Sequence, residues 1–269
     1  GTYSKSTLSS GTYTLTYTKS GYIETSQSAT LTTDDETLEV ATVTILANTC
    51  SAGTVSGTIT DAVSGNAVSD VSLSVRSGLN VTSGSTTGTT TTATNGTYTL
   101  SSMSAGVYTV QASKSGYIST FNPVYVCGNL TNQDASMSEE LSSGTMRIVL
   151  SWPLTSPVTG DDLDSHISIP NSAGNGKVHI YYGTNAGGVN ANDYYVYGAN
   201  DNVTLDKDDQ NGPPGTETIT ITQVRSGTYS FSVHDWDNGD ADNPSSTKLA
   251  ESGASVKVYY NNTTTTFNV

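Results

Sequence analysis

Residues 95–118 read Asn95-Gly96-Thr97-Tyr98-Thr99-Leu100-Ser101-Ser102-Met103-Ser104-Ala105-Gly106-Val107-Tyr108-Thr109-Val110-Gln111-Ala112-Ser113-Lys114-Ser115-Gly116-Tyr117-Ile118. From Gly96 onward this stretch returns at the start of the chain. Gly1-Thr2-Tyr3 falls on Gly96-Thr97-Tyr98, Gly11 and Tyr13 on Gly106 and Tyr108, and Lys19-Ser20-Gly21-Tyr22-Ile23 on Lys114-Ser115-Gly116-Tyr117-Ile118. Thirteen of the first 23 positions are identical without a gap. Self-similarity at a fixed shift marks a repeated structural unit. The copy at the start corresponds to the second half of that unit, so residues 1–46 are expected to be the C-terminal half of a sandwich.

The repeated motif is strand and turn chemistry: short Thr, Val, Ile and Tyr runs punctuated by Gly and Asn. Only 13% of the 269 residues are charged. No apolar run has helical spacing, and none reaches the ~18 residues that cross a bilayer. The expected class is therefore all-β: tandem β-sandwich domains in a rod, the first and last incomplete. The expected divisions are residues 1–46, a complete unit at 50–141, and a different unit at 145–269.

A formal net charge of −14 argues against nucleic-acid partners, because no basic patch exists to displace phosphate counterions. It suits a self-repelling surface protein or one that binds cations. Cys50 and Cys127 lie near the two ends of the central unit. A disulfide between them implies an oxidising, extracellular compartment; two buried free thiols are the alternative.

Within 1–46, Tyr13, Leu15 and Tyr17 alternate, and Leu38 to Ile45 reads as a closing half-buried strand. In the central unit, Val55-Ser56-Gly57-Thr58-Ile59-Thr60-Asp61 is the first strand and Val71 to Val75 the next. Ser83 to Thr94, almost entirely Ser, Thr and Gly, is expected to be an exposed loop. With Asp70-Val71-Ser72-Leu73, Thr94-Asn95-Gly96-Thr97-Tyr98 and Ala105 through Tyr117, these residues resemble the carboxypeptidase regulatory-like, transthyretin-like β-sandwich. The resemblance implies a seven-stranded, non-catalytic module of secreted and surface proteins.

Residues 145–269 contain Met146 to Trp152, Asp161-Asp162-Leu163-Asp164-Ser165-His166, Val178-His179-Ile180-Tyr181-Tyr182, Thr204 to Asp209, Glu217 to Ile221, and Gly227 to Asp235. This series resembles the YfaP-type β-sandwich of microbial surface proteins. That family continues through further strands beyond the point matched by Val269, so the last unit is expected to lack C-terminal strands.

All three histidines lie in this unit. Alternation puts Leu163, Ser165 and Ile167 on one strand face and Asp162, Asp164 and His166 on the other. His179 opposes Val178 and Ile180, and His234 opposes Phe231 and Val233, so the histidines could share a polar sheet face. Asp161, Asp162, Asp164, Asp206, Asp208 and Asp209 suit Ca²⁺, which takes 6–8 oxygen ligands. His166, His179 and His234 suit Zn²⁺. A hydrogen-bonded His–Asp network without metal is the third reading. Asp235 through Asp242 forms a second acidic cluster that looks like a calcium loop, with Asp235 a further candidate ligand, but lacks the full EF-hand pattern and its distal Glu; an ordinary polar hairpin loop is the alternative.

Asn80, Asn95, Asn129, Asn202, Asn261 and Asn262 each begin an Asn-x-Ser/Thr sequon and are glycosylation candidates. No Gly-x-Ser-x-Gly, His-Glu-x-x-His or phosphate-binding glycine loop occurs, so the chain is not read as an enzyme. The expected function is a structural subunit of an extracellular filament or surface appendage, polymerising head-to-tail by strand sharing between copies. The alternative is a monomeric cell-surface stalk or adhesin. Its last domain would bind a ligand such as glycans, stacked on Tyr181, Tyr182, Tyr194, Tyr195 and Tyr197.

Overall fold

The computed structural model describes residues 2–34, 36–40, 42–152, 162–184, 200–210, 213–237, 247–261 and 263–269. The chain is all-β; among the described residues the only helical elements are the 3-10 turn Tyr182–Thr184 and α1, Lys248–Glu251. Contacts divide it into two compact units, residues 1–58, 69–114 and 119–133, and residues 59–68, 115–118 and 134–269.

In the first unit, β1 (Gly11–Tyr17) and β2 (Thr25–Leu31) pair antiparallel, Gly11 opposite Leu31 and Tyr17 opposite Thr25. Next come β3 (Gly53–Asp61, its last three residues in the second unit), β4 (Ser72–Ser77), β5 (Gly88–Thr91), β6 (Thr97–Met103), β7 (Gly106–Ser113) and β8 (Thr120–Val126). β3 pairs with β6, while β5, β4, β7 and β8 form a four-stranded antiparallel sheet in that order. Alternate residues turn inward as the pleat requires: Leu73 and Val75 on β4, Tyr98 and Leu100 on β6, Val124 and Val126 on β8. Cys50 and Cys127 form a disulfide that ties the entry of β3 to the exit of β8.

Two expectations for this unit fail. Residues 38–40 and 42–45 are not a strand, despite their alternation. β2 takes its neighbours from β1 and from Leu79, and among the described residues of this stretch there is no ladder and only Ala47 makes a bridge, to Tyr22. A period-two pattern needs a pairing partner before it becomes a strand. The Ser83–Thr94 segment is likewise not all exposed loop, because it contains β5. Its β-branched threonines pair with β4, and buried Thr92 accepts the Val71 amide through its hydroxyl at 2.9 Å.

The second unit adds β9 (Ala135–Met137), which runs parallel to Ile59–Asp61. It continues with β10 (Met146–Trp152), β11 (Leu163–Pro170), β12 (Lys177–Ile180), β13 (Val203–Lys207), β14 (Gly215–Ile221), β15 (Ser230–Asp235), β16 (Ser255–Tyr260) and β17 (Thr263–Asn268). A five-stranded sheet, β13-β14-β10-β16-β17, and a three-stranded sheet, β12-β11-β15, enclose the core. Ile148, Leu150 and Trp152 meet Leu163, Ile167, Ile169, Val178 and Ile180 there.

The larger sheet is buried on its other face too, which is why β10 reads as a nearly continuous apolar run. Val149 and Tyr259 pack with Ala62, Ile118 and Leu141. On the same face Arg147 donates to Thr220 Oγ1 at 3.0 Å and to Ser138 Oγ at 2.8 Å. Lys257, opposite Val149 on β16, is only 6% exposed.

Burial pushes the Lys257 ammonium down to about 8 from 10.5. Between those values the unfolded chain holds a proton that the folded chain has lost, so stability rises with pH across this window. Lys257→Met should therefore be more stable than the parent below pH 8, with the gap closing as pH approaches 10.5. Urea midpoints of both proteins against pH check this; a gap independent of pH would contradict it.

Candidate functional site

The three histidines of the second unit gather where β11, β12 and β15 meet, with Asp164 among them. β11 lies between β12 and β15, with Ser168 opposite His179 and Asp164 opposite His234. His166 Nδ1 and His179 Nε2 lie 3.0 Å apart, within hydrogen-bond reach. His234 Nδ1 lies 3.2 Å from Asp164 Oδ2. Tyr181 stacks on both His166 and His179, with centroids 5.1 and 4.9 Å away. Tyr182 meets Trp236 edge-on at 5.0 Å, and Trp236 is 53% exposed.

The acids divide into two behaviours. Asp206 accepts the Thr204 hydroxyl at 2.6 Å through one oxygen. Asp209 receives the Lys207 ammonium at 3.0 Å and the Thr216 amide at 3.1 Å, so it pins the turn into β14. Asp235 is buried opposite Leu163 at the end of β15. Asp162, Asp164 and Asp208 instead crowd together. Burial, with the charges of Asp164, Asp208, Asp237 and Asp209, pushes the Asp162 carboxyl up to about 6. Burial also raises Asp164, against the opposing pull of His234.

Glu217 completes this cluster, and the strand reading of residues 217–221 did not single it out. It shares parity with Ile219 and Ile221 on β14, so alternation turns it toward the core. That parity, an acid in an apolar series, was the available signal. Glu217 is 0% exposed, and one of its oxygens accepts the Ser165 amide of the facing sheet. Burial, followed by the competing effects of the Ser165 bond and the Asp208 carboxyl, leaves Glu217 raised to about 9.

Two sets of potential ligand atoms lie within 4.8 Å of one another: Asp164, His166 and His234, and Asp164, Asp208 and Glu217. Asp164 belongs to both. The first could hold a transition metal, the second a hard cation. Asp162, His179, Asp206, Asp209 and Asp235 belong to neither set. Asp161, the 238–242 part of the second acidic cluster, Tyr194, Tyr195, Tyr197 and Asn262 fall outside the described residues. Tyr181, expected to be exposed, is buried under the histidines it stacks on.

Among the sequons, Asn80, Asn95, Asn129 and Asn261 are exposed, with Asn80 and Asn261 in left-handed turns. Asn95 Oδ1 accepts its own sequon hydroxyl, Thr97 Oγ1, at 2.7 Å, and Asn129 Oδ1 accepts the Thr54 amide at 2.9 Å. The Asn202 side-chain amide donates to Gln223 at 2.8 Å.

Among solved structures, the chain is similar to the major pilin subunit of Bacillus cereus, at 14% identity and TM-score 0.29, covering 81% of this chain and 67% of that one. It is also similar to the full-length major pilin SpaD of Corynebacterium diphtheriae, at 10% identity and TM-score 0.27, covering 81% and 64%. A putative carbohydrate binding protein from Bacteroides uniformis matches at 11% identity and TM-score 0.27, covering 81% and 99%. Likenesses this distant carry no functional inference, and the all-β assignment rests on the strands themselves. No curated protein matches the chain. Residues 54–138, from β3 through β9, match the carboxypeptidase regulatory-like domain family.

Proposed function

We propose that the chain is a structural, non-catalytic component of an extracellular filament or surface appendage, in which copies join by β-strand addition. The observation that carries this reading is β17. It pairs only with β16 among the described residues, in unbroken register from Ser255–Asn268 to Tyr260–Thr263. All six of its residues are exposed, none is charged, and Phe267 stands 55% exposed. Edge strands of this kind are normally blunted by Lys, Pro or a bulge, because their free N–H and C=O groups template another strand. The opposite edge of the same sheet, β13, has that protection: its register shifts between Leu205 and Lys207. The contrast supports β17 as an acceptor for a strand of a second copy. The disulfide fits an oxidising compartment, and no helix is long and apolar enough to cross a membrane among the described residues.

Negative-stain microscopy of concentrated protein tests the proposal. Regular fibrils should form, and a Thr264→Lys, Thr266→Lys variant, charged along the edge, should remain single particles. Single particles of the parent at high concentration would sink it.

A second reading, a glycan- or ligand-binding surface, is favoured by one feature, exposed Trp236 beside Tyr182. A glycan array with no binder, or binding unaffected by Trp236→Ala, would dispose of it.

A further inference from the structure

We infer that the second unit holds one Ca²⁺-class divalent cation between Asp164, Asp208 and Glu217. The inference is independent of the filament reading.

Glu217 carries the argument. A carboxylate on the core-facing side of a central strand is costly unless something positive meets it. It is 0% exposed, yet Glu217 Oε1 has no hydrogen-bond partner among the described residues. Asp208 Oδ1 is likewise buried and without one. At the margin of the cluster, Asp162 Oδ1 repeats the pattern. Two acceptors of one close-set group, Glu217 Oε1 and Asp208 Oδ1, thus meet with no donor among the described residues. The Lys207 ammonium is engaged with Asp209, and the His234 imidazole meets only the Oδ2 of Asp164 within the set.

Distance selects the occupant. Ca²⁺ holds oxygens at about 2.3–2.6 Å, so two ligands on opposite sides of one ion stand at most about 5 Å apart. The three carboxylates offer oxygens within 4.8 Å of one another, which fits inside a single coordination sphere. The donor set is all oxygen, which favours a hard cation over Zn²⁺. In the competing set, His166 and His234 each use Nδ1 on a side-chain neighbour, His179 and Asp164 respectively. His234 serves as an outer partner that orients Asp164. The ion would join the two sheets, since Asp164 is on β11 and Glu217 on β14.

The test uses the full chain stripped with EDTA and then titrated with CaCl₂, MgCl₂ or ZnCl₂ by calorimetry and thermal unfolding. One Ca²⁺ per chain and a rise in melting temperature are expected. Glu217→Gln should abolish both, while unfolding cooperatively in EDTA at or above the parent's melting temperature, which shows that it folds. His234→Ala should retain Ca²⁺ binding. No heat and no shift with any ion would overturn the inference and leave a cluster neutralised by protons. Stabilisation by Zn²⁺ alone, lost in His234→Ala, would overturn it in favour of the histidine set.

Discussion

Removing the Cys50–Cys127 disulfide is expected to lower the stability of the first unit by about 4 kcal/mol. The bond spans a sequence separation of 77 residues. Opening so long a loop returns its closure entropy to the unfolded chain, and this entropy grows with the logarithm of loop length. Against a typical total of about 5–15 kcal/mol, that loss would leave the reduced protein marginal. Backbone hydrogen bonds that do not involve the sulfurs also hold these segments: Gly128 donates to the Ser51 carbonyl at 2.8 Å and Leu130 to the Thr54 carbonyl at 2.8 Å. The effect should therefore come mainly from the unfolded state. Urea unfolding of the parent against the Cys50→Ala, Cys127→Ala double variant measures it, with circular dichroism to confirm that the fold persists. A difference below about 1 kcal/mol would mean that the unfolded chain is already compact in this region.

Gly57→Ala should cost about 3 kcal/mol, although its backbone lies outside the left-handed region. A Cβ at Gly57 would stand 2.3 Å from the carbonyl oxygen of Gln133 and 2.5 Å from its carbon. Both are backbone atoms, so no rotamer can relieve the contact. The 130–133 segment is held against β3 from both sides. Ser56 donates to the Leu130 carbonyl at 2.9 Å, Gln133 to the Ser56 carbonyl at 3.0 Å, and the Tyr98 hydroxyl to the Gln133 carbonyl at 2.6 Å. One methyl group must push this segment away or break those bonds. Gly116 is the matching control, with φ at 83° and open space around its Cβ position. Its replacement by Ala should cost only about 1 kcal/mol, from backbone conformation alone. Thermal midpoints for the two variants separate crowding from conformation; equal losses would refute the close approach at Gly57.

Local pattern alone determined the all-β class, because alternation at Leu73–Val75, Tyr98–Leu100 and Val124–Val126 needs nothing beyond the period of the pleat. It also placed Asp164, His166 and His234 opposite the apolar residues of their strands. What it could not carry was which strands become neighbours. Residues 38–45 alternate as well as β4 does, yet only β4 has ladders on both sides. The acids of 206–209 are equivalent on paper. Only the fold sends Asp209 to the Lys207 ammonium and Thr216 amide, and Asp208 to the buried cluster. Glu217 shows the limit most clearly. Its parity was legible, but the meaning of a core-facing carboxylate depends on Ser165, Asp164 and Asp208. The first two stand 52 or more positions away and reach Glu217 from the facing sheet. The sheet-to-sheet closure that joins them is a long-range event no local period encodes, and the tertiary structure alone decided it.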